Sequence, residues 1–311
     1  MSNPLVSVII PTYNRKEEAT RLVRSLFKSS YSNKLEIIVV DDASNDGTSD
    51  SLKNLFPNIV IMRNKQEKLP SESRNIGIKL SHGEYIFLID DDNIVDPNAI
   101  MELVYFLEKN PEVGIAGPIM YFLKDPKRIW CAGARINYWT TVTKVIGYNT
   151  YDEGQFNRPF ECECFPNAFM VRRKVLEKVG LFNSYLFPIH YEEADFCQRV
   201  RRAGYKIVTV PSAKVWHNIA LPEDEKSESL HLKSPLRAYY AIRNRLIYHR
   251  KWSSNLPQKI SALIFSTVVL SYYIYFAMKR KDSKKWKIIK SMLKGFIDGL
   301  FLNISQINSP K

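Results

Sequence analysis

The chain has 311 residues, 45% of them hydrophobic, which suffices for one large domain or for a domain with an appendage. Its net charge of +13 sits at one end: residues 226–311 hold 17 Lys and Arg against 3 Asp and Glu, whereas residues 1–225 carry −1. This distribution argues against a nucleic-acid-binding catalytic domain and predicts a basic tail that meets an anionic partner.

Short apolar runs alternate with amphipathic stretches through most of residues 1–225. The alternation predicts an α/β fold, a mostly parallel sheet with helices on both faces. Residues 120–165, rich in Gly, Pro, Asn and aromatics, predict a loop-rich insertion or a β-ribbon. Strands are predicted over residues 6–10, 35–40, 59–62, 85–89, 113–116 and 206–210, and helices over residues 16–29, 48–56, 71–80, 97–109, 172–179 and 193–203.

The basic tail also has a different pattern of apolar residues from the rest of the chain. Residues 260–278 carry no charge and would form a helix about 28 Å long, close to the roughly 30 Å of a bilayer core. A buried core helix is the alternative. Residues 286–302 show the pattern of an interfacial amphipathic helix. Because a spanning helix would place the basic link 279–287 on the far side, we expect a shallow, re-entrant or in-plane attachment of this tail to a membrane.

The chain also carries signs of its compartment. The four cysteines show neither a zinc-ligand spacing nor a disulfide framework, which indicates reduced thiols in the cytosol. The first residues lack a basic and an apolar region, so no cleavable signal is expected. We therefore expect a domain over residues 1–225, held at the cytoplasmic face of the cell membrane by the tail 226–311.

Acidic residues follow two of the predicted strands. Asp42 comes after the run 35–40, and Asp90, Asp91 and Asp92 come directly after the run 85–89. Ligands of parallel sheets bind beyond the carboxyl ends of the strands. Consecutive carboxylates there repel one another, unless Mg²⁺ or Mn²⁺ binds them together with the phosphates of a ligand. A solvated acidic turn is the alternative.

Six motifs then carry a resemblance. In order and spacing, over about residues 5–217, they resemble the signatures of family 2 glycosyltransferases with the GT-A fold, and most of all the rhamnosyltransferase-like members. The resemblance implies a hexosyltransferase that uses a nucleoside-diphosphate sugar. The motifs are VSVIIPTYNR (6–15), IIVVDDASNDGT (37–48), SRNIG (73–77), IDDD (89–92), VGLFN (179–183) and EEADFCQR (192–199).

Residues near the ends of the predicted strands are candidates for binding the sugar donor. A carboxylate placed like that of Asp42 can accept the imide N–H of uracil or thymine, which favours a UDP or dTDP sugar, although an Asx-turn is an alternative role. The resemblance implies the same contact, with Pro11, Thr12 and Tyr13 beside the nucleotide. Arg74, near a helix start, has a fixed cation for the base or the diphosphate, with a surface ion pair as the alternative.

The metal ligands come from the resemblance. Asp90 and Asp92 match the outer residues of the family's D-x-D motif; Asp92 is the expected direct ligand, and Asp90 and Asp91 are expected beside the nucleotide as well. His217 matches a histidine that completes the metal site in some relatives, with a purely structural role as the alternative. A bound cation would neutralise the departing diphosphate.

The catalytic base is expected at the start of the helix 193–203. The family usually has Glu-Asp where this chain has Glu192-Glu193, so the matching base is Glu193, one methylene longer, with Asp195 in support. Glu192 and Asp195 are rivals that spacing alone does not separate, and N-terminal charge complementing the helix dipole is the alternative role of each.

Taken together, these features predict an inverting, metal-dependent glycosyltransferase. It would move a sugar to a hydroxyl of a lipid-linked or cell-surface glycan. Two alternatives stay open: a polyprenyl-phosphate glycosyltransferase, and a non-catalytic, membrane-tethered protein that binds nucleotide sugars. A Rossmann oxidoreductase is disfavoured, because no Gly-x-Gly-x-x-Gly follows the first strand. Pro166 and Asn167 depart from the small residues that relatives place beside the acceptor.

Overall fold

The computed structural model describes residues 4–31, 35–224, 232 and 234–303. The chain divides into two compact units. The sheet unit comprises Met1–Arg135, Val145–Ser184 and Glu192–Pro222. The helical unit comprises Ile136–Lys144, Tyr185–Tyr191 and Glu223–Lys311.

Strands and helices alternate through the first hundred residues, as predicted. The strands are β1 Val6–Thr12, β2 Leu35–Asp41, β3 Val60–Arg63, β4 Tyr85–Ile89, β5 Asn93–Val95, β6 Val113–Phe122, β7 Asp125–Cys131, β8 Ala134–Ile136, β9 Thr143–Val145, β10 Phe160–Glu161, β11 Ala168–Arg172 and β12 Lys206–His217. The helices are α1 Lys16–Leu26, α2 Thr48–Leu55, α3 Leu69–Leu80, α4 Ala99–Lys109, α5 Arg173–Val179, α6 Glu192–Arg202, α7 Pro235–Trp252, α8 Leu256–Met278 and α9 Lys285–Phe301.

A ten-stranded sheet forms the centre of the sheet unit. Its main path runs in the order β10-β12-β6-β11-β4-β1-β2-β3. The half formed by β4, β1, β2 and β3 is parallel, and β1 and β4 are buried along their whole length. Strands buried on both faces need continuous apolar runs, and these runs were the signal that predicted them. The predicted α/β class is confirmed.

The other half of the sheet is mixed rather than parallel. Strand β11 runs antiparallel to both of its neighbours, β4 and β6. In the predicted insertion 120–165, β6 continues to Phe122 and β7 returns antiparallel beside it, so part of this stretch is a ribbon joined to the main sheet. Strand β11 ends at Arg172 and α5 begins at Arg173, so the apolar pattern of the strand merges with that of the helix.

The helical unit contains a helix that the sequence pattern did not reveal. Helix α7 buries Arg243, Asn244 and His249, and these polar residues hide its apolar period. Arg243 and Asn244 have partners: Nη1 of Arg243 donates to the backbone oxygen of Leu186 at 3.0 Å, and the Asn244 side chain donates to the backbone oxygens of Ile189 and His190, at 2.8 and 3.0 Å. Helix α7 thereby ties the internal segment Tyr185–Tyr191 into the helical unit.

Within the part of the chain that the structure describes, α8 is the one helix long and apolar enough to cross a membrane. One of its faces packs against neighbouring helices: Leu270 and Ala277 join Ile242 of α7 and Ile288 of α9 in a shared apolar cluster. The opposite face is exposed and almost wholly apolar. Its exposed large side chains are Leu256, Ile260, Leu263, Ile264, Phe265, Val268, Tyr272, Tyr275 and Met278.

The close packing of α3 on the sheet depends on Gly77. A Cβ at this position would lie 2.3 Å from Cγ2 of Ile9 and 3.3 Å from Cγ2 of Val40. Both neighbours are β-branched and stiff, so neither moves away freely. We expect Gly77→Ala to lower the free energy of unfolding by about 1–3 kcal/mol, measured by urea unfolding. Lys79→Ala, exposed on the same helix, is the control; equal midpoints for the two variants would contradict this packing.

Candidate active site

The predicted donor-side residues lie at the carboxyl ends of β1 and β2. Thr12 pairs with Asp41 at the end of the two strands, and the backbone N–H of Asp42 donates to the Thr12 oxygen at 2.8 Å. Pro11 and Thr12 are buried, whereas the Tyr13 side chain is 44% exposed just beyond the strand. This edge of the sheet therefore presents an aromatic ring to solvent beside a buried carboxylate.

The Asp42 carboxylate is held firmly in place. It accepts hydrogen bonds from Nδ2 of Asn64 at 2.7 Å and from the backbone N–H groups of Lys68 and Leu69 at 2.8 Å each. Leu69 has φ of 69°, an unusual value for a branched residue, which these bonds help to maintain. Asp42 thus fixes the start of α3, the helix that carries Arg74.

The aspartate triplet after β4 divides between two arginines. Nη1 of Arg15 lies 3.1 Å from Oδ1 of Asp91 and 2.6 Å from Oδ2 of Asp92. Asp90 instead pairs with Arg74, at 2.5 Å. Burial raises the pKa of Asp91 to about 7, against the attraction of Arg15. Although burial also disfavours charge on Asp92, hydrogen bonding to His217 and the nearby Arg15 hold its pKa well below the usual range.

Arg74 is the most buried cation of this region, with 3% of its side chain exposed. Besides Asp90, it contacts Oε1 of Glu192 and Oε1 of Glu193, each at 3.0 Å. One guanidinium therefore faces three carboxylates. Burial, and after it the like charge of Glu193, raises the pKa of Glu192 to about 8; burial likewise raises the pKa of Glu193, with Arg74 opposing. The alternative of a surface ion pair does not describe Arg74.

The three acids at the start of α6 occupy different environments. The exposed fraction of the side chain is 5% for Glu192, 16% for Glu193 and 1% for Asp195. Asp195 accepts from Nε of Arg199 at 3.1 Å, and Arg199 in turn donates to the backbone oxygens of Val179, Gly180 and Leu181. Glu193 is thus the acid of this group that solvent reaches most, and Asp195 takes part in bracing the loop after α5.

His217, the last residue of β12, lies beside Asp92. Its Nε2 is 3.2 Å from Oδ1 of Asp92 and 3.1 Å from Nδ2 of Asn167, whose Oδ1 accepts from Asn93 at 2.6 Å. The ring also packs edge-on against Trp130, with centroids 4.3 Å apart. Trp130 therefore packs against the ring that lies beside Asp92.

The predicted metal ligands are only partly brought together. Asp92 and His217 are adjacent, whereas the Asp90 carboxylate is turned to Arg74. Among the described residues, no three His, Cys, Asp or Glu side chains cluster closely enough to hold a metal ion by themselves. A carboxylate oxygen next to an imidazole nitrogen fits a divalent cation as two of its ligands. Phosphate oxygens and water would have to supply the others, which is the usual situation for Mg²⁺.

Two residues of the site were missed as site residues from the sequence. Arg15 follows the first strand, and Asn167 lies in a segment examined only for the acceptor. A cation immediately after β1 faces the end of the adjacent strand β4 in a parallel sheet, so the acidic triplet there was an available signal for Arg15. Asn167 has φ of 74° and lies just before an unpredicted antiparallel strand, which left no comparable signal.

Comparison with known proteins shows the family of the chain. The sequence profile described as "Glycosyl transferase family 2" matches residues 7–180, more than half of the chain. The chain therefore belongs to glycosyl transferase family 2. An uncharacterized glycosyltransferase of Haemophilus influenzae is 37% identical over 220 residues, which cover 70% of this chain and 66% of that protein.

A second relative aligns over nearly its whole length. It is dTDP-rhamnosyl transferase RfbF of Shigella flexneri, 25% identical over 299 residues, 93% of this chain and 95% of that protein. Other alignments are partial: this chain spans 36% of another Haemophilus influenzae glycosyltransferase and 24% of a Sinorhizobium fredii protein.

The three-dimensional likeness confirms the GT-A fold. The crystal structure of GalNAc-T7 with UDP, GalNAc and Mn²⁺ superposes with a TM-score of 0.62 at 18% identity, covering 98% of this chain and 57% of that one.

The bracing role of Asp195 leads to a test. We expect Asp195→Asn to lower the free energy of unfolding by about 1.5–3 kcal/mol, because it weakens a buried charge-assisted hydrogen bond to Arg199. Unfolding curves and turnover of the folded variant are to be measured together, with Glu17→Gln, an exposed acid of α1, as the control. A variant as stable as the wild type but without turnover would instead make Asp195 the base.

Proposed function

We propose that this glycosyltransferase transfers a sugar, with inversion, from a nucleoside-diphosphate sugar to a hydroxyl of a lipid-linked or cell-surface glycan. The observation that carries the proposal is the group of three carboxylates around the single buried cation Arg74. Burial raises the pKa of Glu193, with Arg74 opposing and Asp90 adding to the rise, and Glu193 is also the most accessible acid of α6. A carboxylate with a raised pKa is a better proton acceptor.

The donor is proposed to bind at the carboxyl ends of β1, β2 and β4. The residues assigned to it are Pro11, Thr12, Tyr13, Asp42, Arg74, Asp90 and Asp91. The exposed Tyr13 ring offers a stacking surface for a base, and Asp42 supplies the acceptor for an imide N–H, which favours uridine or thymidine nucleotides. The likeness to a dTDP-rhamnosyl transferase and to an enzyme crystallised with UDP supports this class of donor.

Charge at the diphosphate is balanced by cations on this edge. Asp92 with His217 would hold a Mg²⁺ or Mn²⁺ ion, which stabilises a departing diphosphate without a proton when it is bound. The presence of Mn²⁺ in the GalNAc-T7 crystal supports this assignment. Arg15, with 42% of its side chain exposed, lies within reach of the same place.

The proposed transfer forms one bond, breaks one bond and moves one proton. The acceptor oxygen forms a bond to the anomeric carbon while the bond from that carbon to the diphosphate oxygen breaks. The acceptor O–H proton passes to the Glu193 carboxylate, and the nucleoside diphosphate leaves with the electron pair. Because the acceptor attacks from the face opposite the diphosphate, the anomeric configuration inverts.

Substitution at Glu193 tests the proposal. We expect Glu193→Gln to lower turnover about 10²- to 10⁴-fold with donor affinity near normal, because only the proton acceptor is lost. In the wild type, turnover needs the ionised carboxylate, so it falls as the pH drops through a pKa that burial has raised above that of an ordinary Glu. This acid limb of the pH–rate profile is expected to vanish in Glu193→Gln.

Glu192→Gln is the matched control, since it removes the neighbouring, more buried carboxylate and should keep the acid limb. Loss of the limb in Glu192→Gln alone would assign the base to Glu192. Full turnover of Glu193→Gln would favour a phosphate oxygen as acceptor, as in a polyprenyl-phosphate glycosyltransferase, because that oxygen needs little help from a base.

We further propose that the helical unit holds the enzyme on the cytoplasmic face of the cell membrane, with α8 lying in the plane of the surface. One face of α8 packs on α7 and α9 while the opposite face is exposed and apolar, an arrangement that suits an interfacial helix better than a span. Helix α9 adds exposed Trp286, Ile297 and Phe301. The excess of positive charge in residues 226–311 complements anionic lipids.

Vesicle binding tests this attachment. Ile264→Asp with Val268→Asp should reduce binding to phosphatidylglycerol-containing vesicles at least tenfold in a flotation assay, because both side chains are 58% exposed on the apolar face of α8. Met101→Asp, an exposed apolar position on α4, is the control and should bind as the wild type does. High salt should release only part of the wild type, since apolar insertion is not screened. Complete release by salt would contradict burial of α8 in lipid.

A further inference from the structure

A cavity of about 290 Å³ opens inside the helical unit. Residues of α7 and α8 form most of its wall, with Leu300 of α9 closing one side. The volume lies at the lower end of the range for small-molecule sites, about 300–1,000 Å³. The lining residues that determine its chemistry are Leu246, His249, Arg250, Lys259, Ile260 and Leu263.

His249 is the first indication of a ligand. Its side chain lines the cavity and only 1% of the residue is exposed, yet neither ring nitrogen has a hydrogen-bond partner among the described residues. Burial lowers the pKa of His249 to about 3, so the ring is neutral and carries one N–H donor. Buried donors without partners are rare in folded proteins, and each calls for an explanation such as a bound ligand.

The charges of the wall are all of one sign. Arg250 and Lys259 line the cavity, and none of its lining residues is acidic. Nη1 of Arg250 donates to the backbone oxygen of Gly299 at 2.6 Å, which fixes the guanidinium at the edge of the cavity. Lys259 is exposed at the start of α8. The polar part of a fitting ligand is therefore anionic and accepts hydrogen bonds.

The rest of the cavity wall is apolar and is continuous with the exposed apolar face of α8. Leu246 is buried, whereas Ile260 and Leu263 are half-exposed and lead onto the apolar face of α8 at Ile264. A small inorganic anion would leave this wall without a contact. A hydrocarbon chain attached to the anion would cover the wall and continue along α8.

We propose that this cavity binds the phosphate end of a single lipid phosphate. The phosphate oxygens accept from Arg250, Lys259 and His249, and the hydrocarbon chain lies along Leu246, Ile260 and Leu263. Phosphatidic acid and a prenyl phosphate share this chemistry. The site requires neither sugar transfer nor a bilayer, so it can be tested separately from the proposed function and from the vesicle assay.

Titration of the full-length protein with soluble probes tests the proposal. Dioctanoyl phosphatidic acid and geranyl phosphate, both kept below their critical micelle concentrations, are followed by isothermal titration calorimetry. We expect one-to-one binding of at least one of them, at least tenfold tighter than that of dioctanoylglycerol or of inorganic phosphate. The tighter probe then identifies the source of the phosphate as glycerolipid or prenyl lipid. Equal affinity for the phosphate-free lipid or for bare phosphate overturns the proposal.

Two variants with matched controls locate the site. Lys259→Gln removes a cation of the cavity, and Leu263→Trp fills its apolar part; each should weaken binding at least fivefold. Lys281→Gln and Ile264→Trp make the same changes on exposed residues outside the cavity and should leave affinity unchanged. Equal losses in variants and controls would reduce the binding to general attraction by a basic, apolar surface.

His249→Phe separates the ligand role from a packing role. It replaces an unsatisfied polar ring by an apolar ring of similar size, so it should raise the melting temperature of the free protein and weaken binding of the phosphate probe at least threefold. A variant that binds the probe as well as the wild type would remove His249 from the site, and with it the observation on which the assignment of the cavity depends.

Discussion

The pairing of Arg74 with three carboxylates is the interaction on which the site depends. Asp90 follows β4, Glu192 and Glu193 begin α6, and Arg74 comes from α3, so a single guanidinium connects three parts of the chain. Loss of a buried cation leaves its partners as uncompensated charges, which is far more costly than loss of an exposed ion pair. Burial is the main cause of the raised pKa values of Glu192 and Glu193, and the single positive charge of Arg74 only partly opposes it.

Arg15 differs from Arg74 in how far its side chain is exposed to solvent. Both contact the aspartates after β4, but 42% of the Arg15 side chain is exposed compared with 3% for Arg74. Because the Arg15 guanidinium is partly exposed, water screens its bonds to Asp91 and Asp92 more than it screens the bonds of Arg74. The site thus combines a fixed cation, which holds its framework, with a more exposed one beside the acids assigned to the donor.

The parts of the site that depend on local sequence patterns could be predicted, whereas the parts that depend on contacts between distant residues could not. The acids at the ends of β2 and β4 were predictable, because a buried apolar run followed by carboxylates is a local pattern. Arg74 was assigned to the site from its motif, but its contact with Glu192 joins residues 118 positions apart, and no local pattern reports such a distance. The same limit concealed why Glu193 differs from Glu192: the difference in exposure arises only when α6 packs.

The fold, too, contains elements that local composition predicts and elements that it does not. Strands β1, β2 and β4 are buried on both faces, and their composition indicates it. Helix α7 was missed because Arg243 and Asn244 point to backbone oxygens of a distant segment instead of to water. Polar residues are read from sequence as exposed, so a helix that buries them loses its apolar stripe. Strand β11 was missed because it runs directly into α5, so its apolar residues do not stand apart from those of the helix.

The helical unit is assembled from three pieces of chain that are far apart in sequence, and this order has a consequence for synthesis. Residues 136–144 and 185–191 leave the ribosome well before Glu223–Lys311, the segment that supplies the helices. At about 5–20 residues per second, that last segment takes roughly 4–18 s to be made. Until residue 244 of this segment has been made, the backbone oxygens of Ile189 and His190 lack the Asn244 side chain that later binds them. The nascent chain therefore passes through a stage in which its sheet can form while two of its internal loops still await their partners.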